Sequence, residues 1–268
     1  MEAIRGFASS FIALCFLSSC SGCGGEKIQS QKCRSVVNAS SMVILAVGQS
    51  NAANEGEVQY TSKQPVYMYH DKRCEPANDP LIGATGNRGS VWSRLGDKVI
   101  ENGLAKSVLI SSVAVNASKV RDWIRGGKYH HKLKDAIAGL KELGIEITHI
   151  LWHQGESDKE LSEEEYKSKL SEVISSTRSY GVDAPFFVSI ASVCKGPPHI
   201  EVQKAQRSIV SPENNIFSGP NTDQLDDSFR YDRCHFNESG LQRHADLWIT
   251  AIQNVQSEFV RNIFKNSD

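Results

Sequence analysis

The chain has almost no net charge: 30 Lys and Arg stand against 31 Asp and Glu, a formal balance of -1 over 268 residues. A surface that grips nucleic acid needs a clustered positive excess, and none is present. The most basic spot, Lys128-Tyr129-His130-His131-Lys132, fits a solvated helix start and carries no functional weight. There is no internal repeat and no composition break that would mark a second folded domain. The apolar stretch at residues 7–17 is too short to cross a bilayer.

That short stretch has another use. Preceded by Arg5 and followed by Leu17-Ser18-Ser19-Cys20, it reads as an export signal. The four residues resemble the bacterial lipobox, which implies cleavage before Cys20 and lipidation of that cysteine. The expected localisation is the cell envelope, at the outer membrane or facing the periplasm. An ordinary cleaved signal would instead give a secreted protein. The predicted organisation is a signal over residues 1–19, a glycine-rich polar tether over 20–38 and one folded domain over 39–268.

An oxidising compartment permits disulfides among the seven cysteines. Cys15 leaves with the signal and Cys23 sits in the tether as the natural odd one. The preferred pairs are Cys33–Cys74 and Cys194–Cys234, although sequence alone does not fix pairing.

Along the domain, apolar runs alternate with amphipathic helices. Strands are expected near residues 41–47, 106–115, 145–152, 185–193 and 215–218. Helices are expected near 90–102, 132–143, 162–180, 201–210 and 238–264. Ser162-Glu163-Glu164-Glu165 forms a capping box. This alternation predicts an α/β fold, a three-layer α/β/α sandwich around a five-stranded parallel sheet. The long polar segment at 51–88 reads as a substrate rim.

The first strand, Val43-Ile44-Leu45-Ala46-Val47, stops at Gly48 and gives way to Gln49-Ser50-Asn51. Ligands of open α/β sheets gather at the carboxyl ends of strands. Ser50 is therefore a candidate nucleophile, with a plain helix-capping serine as the competing reading. Asp232 and His235 supply the other needs of such chemistry, a base and a partner that fixes its tautomer, at a spacing that lets the carboxyl fold onto one ring nitrogen. A third strand end carries His153-Gln154-Gly155-Glu156-Ser157-Asp158. Gln154 could donate to an oxyanion there, while Glu156 and Asp158 brace the loop. His153 and Glu156 lack companion ligands for a metal, and neither metal nor cofactor is expected.

These three blocks together resemble the SGNH-hydrolase superfamily, in the sialate O-acetylesterase-like branch that also covers acetylxylan esterases of carbohydrate esterase family six. The resemblance runs from Val43 to Asn254. It implies a flavodoxin-like sheet, Ser50 as nucleophile, His235 as base, Asp232 as its orienting acid, and an O-acetylated carbohydrate as substrate. It also implies an oxyanion hole of the Ser50 N–H, Gln154 and a glycine. Gly89 is the preferred glycine, with Gly86 and Gly83 left open. Gln49, Asn51, Gly155 and Glu156 become loop supports, and Arg121 and Trp123 substrate contacts, with a core position as the alternative for Trp123. A Cys194–Cys234 bond would staple the loop of Asp232 and His235, with two buried free thiols as the alternative. On this assignment Gln154→Ala should cut turnover about a hundredfold with the fold intact. Two other readings compete: an SGNH lipase or thioesterase of broader acyl range, and a surface lipoprotein that binds glycans without turnover.

Overall fold

The computed structural model of the protein describes residues 31–265, with side chains to residue 257. The predicted export signal, Cys20, Cys23 and most of the predicted tether lie outside the described residues.

Strand β1 (Ser41–Gly48) is buried at every residue but its first, as a strand covered on both faces must be. Successive side chains of a strand point to opposite faces. Met42, Ile44 and Ala46 accordingly pack with Trp92, Leu95, Trp248 and Ile252. Leu45 and Val47 pack on the other side with Leu133, Tyr166, Leu170 and Val202. Helices α1 (Val91–Glu101) and α5 (Glu238–Lys265) thus cover one face. Helices α2 (His130–Glu142), α3 (Glu163–Ser179) and α4 (Ile200–Ser208) cover the other. The result is the expected three-layer α/β/α sandwich. The capping box of α3 forms in both directions: Glu165 N–H donates to Ser162 Oγ at 3.2 Å, and Ser162 N–H donates to Glu165 Oε2 at 3.0 Å.

The sheet is larger than expected, with seven strands rather than five. Its remaining members are β2 (Val66–His70), β3 (Arg73–Pro76), β4 (Ser107–Ser112), β5 (His149–His153), β6 (Phe186–Ile190) and β7 (Ile216–Asn221), in the order β3-β2-β4-β1-β5-β6-β7. All pairings are parallel except that of β2 with β3. The two additional strands form a hairpin inside the segment read from sequence as a polar rim. Its two-residue turn, Asp71-Lys72, has φ of 47° and 62°. Such turns are usually announced by Asn-Gly or Gly, so this one has no visible signal in the sequence.

The rest of that segment is pinned by buried polar groups. Asp79 accepts from Ser90 N–H at 2.7 Å, Tyr60 N–H at 3.0 Å and Ser93 Oγ at 2.6 Å. Asp97 accepts from Tyr60 Oη and Lys63 N–H, both at 2.8 Å. A connection of this length would be costly to order without such anchors.

With β4 and β5 on either side of β1, the chain reverses direction across the sheet at β1, which places the ligand crevice at its carboxyl end. The ends of β1 and β5 come very close there. A Cβ on Gly48 would lie 1.9 Å from the His153 carbonyl oxygen, so only glycine fits. Gln49 N–H donates to that same oxygen at 3.1 Å. The following 3₁₀ turn, Ser50–Ala52, is fixed by Trp92, whose Nε1–H donates to Ala52 O at 2.6 Å. Trp92→Phe keeps most of the ring and leaves that buried carbonyl unpaired. It should cost about 1–3 kcal/mol, read as a lower urea midpoint. An unchanged midpoint would remove this bond from the account of stability.

Candidate active site

Four segments meet at the carboxyl edge of the sheet: the turn after β1, the loops after β4 and β5, and the loop at 230–236 that precedes α5. The carboxamide of Asn51 joins three of them. Its Nδ2 donates to Glu156 Oε1 at 3.0 Å and to the Cys234 carbonyl at 3.2 Å. Glu156 is fully buried. That burial works against its charge, but His153 Nε2 at 3.2 Å and the Asn51 amide hold its carboxyl below the ordinary value. Asn51 and Glu156 therefore tie the turn carrying Ser50 to the loop carrying His235.

Within that loop, Asp232 Oδ2 lies 2.8 Å from His235 Nδ1, while Oδ1 accepts from the N–H groups of His235 at 2.7 Å and Cys234 at 2.9 Å. Partial burial pushes the Asp232 carboxyl up, but the His235 and Cys234 donors prevail and hold it below its ordinary value. An ionised Asp232 fixes the proton of a neutral His235 on Nδ1. His235 Nε2 and Ser50 Oγ form no hydrogen bond among the described residues, with each other or with any other group.

The loop is held from three further sides. Cys234 is bonded to Cys194, and Lys195 N–H donates to Arg233 O at 2.9 Å. Glu57 N–H donates to Phe236 O at 2.9 Å. Arg230, nearly fully buried, donates to the carbonyls of Leu225 at 3.0 Å, Thr222 at 3.1 Å and Cys234, and lies 4.4 Å over the Phe236 ring. Sequence reasoning passed over Arg230 because its acceptors are backbone carbonyls, which carry no residue signature.

Two oxyanion assignments are corrected. Gly89 N–H donates to Gly56 O at 2.9 Å, and a Cβ on Gly89 would lie 1.9 Å from Val58 O. Its glycine character serves that backbone contact, and its donor is already used. Gln154 is fully buried, and its Nε2 faces Ser118 O at 3.1 Å, Gln49 Oε1 at 3.2 Å and Asp158 Oδ2. Its Oε1 accepts from Tyr166 Oη at 3.0 Å. Gln154 is a strut between three loops with no hydrogen to spare. Gln49 is a second strut, its Oε1 also accepting from Ser157 N–H at 3.1 Å and, at 3.5 Å, from Gly155 N–H.

Trp123 is likewise corrected, since it is fully buried with Nε1–H donating to Ser118 Oγ at 3.0 Å. Arg121 is exposed in the same loop. The Cys33–Cys74 bond ties the segment before β1 to β3.

A doubly wound sheet with a polar turn directly off its central strand defines a class, the three-layer α/β/α proteins that hold their ligands at the carboxyl edge of the sheet. A solved protein of Arabidopsis thaliana superimposes with a TM-score of 0.67 at 19% identity, over 82% of this chain and 99% of that one. NanS follows at 0.60 and 13%, over 81% and 98%. A variant of an acetyl-xylooligosaccharide esterase from Geobacillus gives 0.52 and 12%, over 81% and 95%. At such identities the likeness is one of fold. No curated protein matches the chain. The model of the family described as carbohydrate esterase, sialic acid-specific acetylesterase, matches residues 40–252. The chain belongs to this family and is a carboxylic ester hydrolase of the acetylesterase type.

Two outcomes follow for the struts. Gln154→Ala removes one hydrogen-bond partner each from Asp158, Gln49, Tyr166 and the Ser118 carbonyl in a dry interior, so it should destabilise the fold by about 2–3 kcal/mol, read by urea unfolding. A variant as stable as wild type but slowed in turnover would restore Gln154 as an oxyanion donor that the fold does not need. Burial, the largest effect, pushes the Asp158 carboxyl up to about 6 against hydrogen bonds from Gln154 and the Val120 amide. Between about pH 4, the unfolded value, and about pH 6 the folded chain holds the extra proton, so this group's contribution to stability falls as pH rises. The stability gap between wild type and Asp158→Asn should change across that window in denaturant titrations. A constant gap would clear Asp158 of the effect.

Proposed function

We propose that the chain removes O-acetyl groups from a carbohydrate by covalent serine catalysis, with Ser50 as nucleophile, His235 as general base and Asp232 as its orienting acid. The observation that carries this reading is the 2.8 Å contact between Asp232 and His235 Nδ1, which leaves Nε2 available at the sheet edge where the turn of Ser50 follows the central strand. A serine hydroxyl attacks only as its proton leaves. On this reading His235 Nε2 takes the Ser50 proton as Oγ bonds to the acetyl carbon, then returns it to the sugar oxygen as the ester bond breaks. Water follows the same route to release acetate, and ionised Asp232 stabilises the imidazolium in both steps. The absence of a Ser50–His235 hydrogen bond among the described residues is compatible with this scheme, because catalytic hydrogen bonds commonly tighten only around substrate.

The Ser50 N–H donates to no acceptor among the described residues and can face the oxyanion. With Gly89 and Gln154 committed elsewhere, the second donor is Gly86 or Gly83, at φ 88° and 94°, whose N–H groups are also unpaired among the described residues. The polar rim at 51–88 suits a sugar better than a long acyl chain, and the exposed Arg121 is a candidate contact. We also infer export with an anchor on Cys20. The two disulfides support an oxidising compartment.

The test is acetate release from a panel of acetylated glycans, beside p-nitrophenyl acetate and longer acyl esters. Ser50→Ala should fall to background, and Asp232→Asn by about 10³- to 10⁴-fold, because the wrong tautomer is then held. A preference for long acyl chains would replace the acetyl reading. No Ser50-dependent release from any ester would favour a binding module.

A further inference from the structure

Asp232 holds the His235 imidazole at one nitrogen only, and a single hydrogen bond leaves a ring free to tilt about that contact. A second restraint lies beside it. The Tyr231 ring stacks on the His235 ring with centroids 6.1 Å apart and planes at 29°. Tyr231 N–H donates to His235 O at 3.0 Å, which closes the turn that contains Asp232. The far end of the tyrosine is also fixed, since its Oη donates to Glu55 O at 3.2 Å. The Arg88 guanidinium lies 5.4 Å from the centre of the tyrosine ring. Burial, and then the charge of Asp232, push the phenol above its ordinary value, so it stays a neutral donor.

We propose that Tyr231 is a positioning residue that sets the angle of the His235 ring, and hence the direction of Nε2, relative to Ser50. The inference rests on the serine-esterase reading above. Its anchor, Glu55, stands in the segment that leaves Ser50, so one side chain references the base to the backbone of the nucleophile. Arg88 comes from the far end of the same rim, next to the Arg88 N–H bond to Asn54 O at 2.9 Å. The stack therefore joins the rim to the base. No hydrogen bond links Tyr231 to Asp232 or to the imidazole among the described residues, so its effect on the ring passes through contact and not through proton exchange.

The experiment compares Tyr231→Leu and Tyr231→Phe with wild type on p-nitrophenyl acetate, with unfolding midpoints measured for all three. A displaced base slows chemistry without weakening ground-state binding, so Tyr231→Leu should lose about ten- to a hundredfold in kcat with KM nearly unchanged. Tyr231→Phe keeps the ring and loses one hydrogen bond, so it should recover most of that loss and stay within about fivefold of wild type. Ser50 is titrated in parallel with a fluorophosphonate, whose rate should fall with kcat in Tyr231→Leu. A folded Tyr231→Leu variant with wild-type kcat overturns the inference, as does equal loss in the Phe and Leu variants. A wild type that neither turns over ester nor labels at Ser50 overturns the serine reading itself, a result distinct from either of these.

Discussion

The carboxamide of Asn51 is the contact on which the site depends. One Nδ2 group reaches a buried carboxylate from the loop after β5 and a backbone carbonyl from the loop before α5. Both acceptors are desolvated, so each would be costly to leave unpaired. The arrangement makes the position of the turn after β1 a function of two segments more than a hundred residues away in sequence. A sheet edge supplies approximate proximity, and this amide converts it into a fixed relation between the turn and the loop.

Around that contact the protein uses buried polar side chains as beams. Gln49 and Gln154 each span loops that could otherwise slide past one another, and both are essentially inaccessible to solvent. Asp223 does the same on the far side. It accepts from Ser192 N–H at 2.8 Å, Val193 N–H at 2.9 Å and Gln203 Nε2 at 2.6 Å, just before the strand-end loop reaches Cys194. A low-dielectric interior strengthens a network whose members are satisfied and penalises one with a member missing. Substitutions among these residues should therefore act together rather than additively.

Much of this was legible in the sequence. The near-continuous apolar run of β1, the capping box at Ser162 and the three-residue spacing of Asp232 and His235 each state a local rule that the fold obeys. What escaped was decided by partners that sequence order does not show. Gln154 advertises a donor, but not the three acceptors that claim it. Gly89 announces a missing Cβ without saying which backbone needs the room, and Trp123 looks the same whether it faces a sugar or the core. Asp71 and Lys72 turn a hairpin at positive φ without the glycine that usually marks such a turn, so the outer strands left little mark. Arg230 serves carbonyls, and Tyr231 acts through a neighbour's ring. The residues that could react stood out, and Gln49, Asn51 and Glu156 were marked as loop supports, whereas Gln154, Arg230 and Tyr231 disclose their holding roles only through their partners.

The Cys33–Cys74 bond has a mechanical meaning as well as a chemical one. It ties the chain ahead of β1 to β3, the outermost strand of the sheet. A tug on anything before residue 33 therefore reaches the sheet by two covalent routes, through sulfur to that edge and through residues 34–40 to β1. The bond acts as a second cleat, so that the central strand leading to Ser50 shares a pull from the N-terminal side with the outer edge of the sheet.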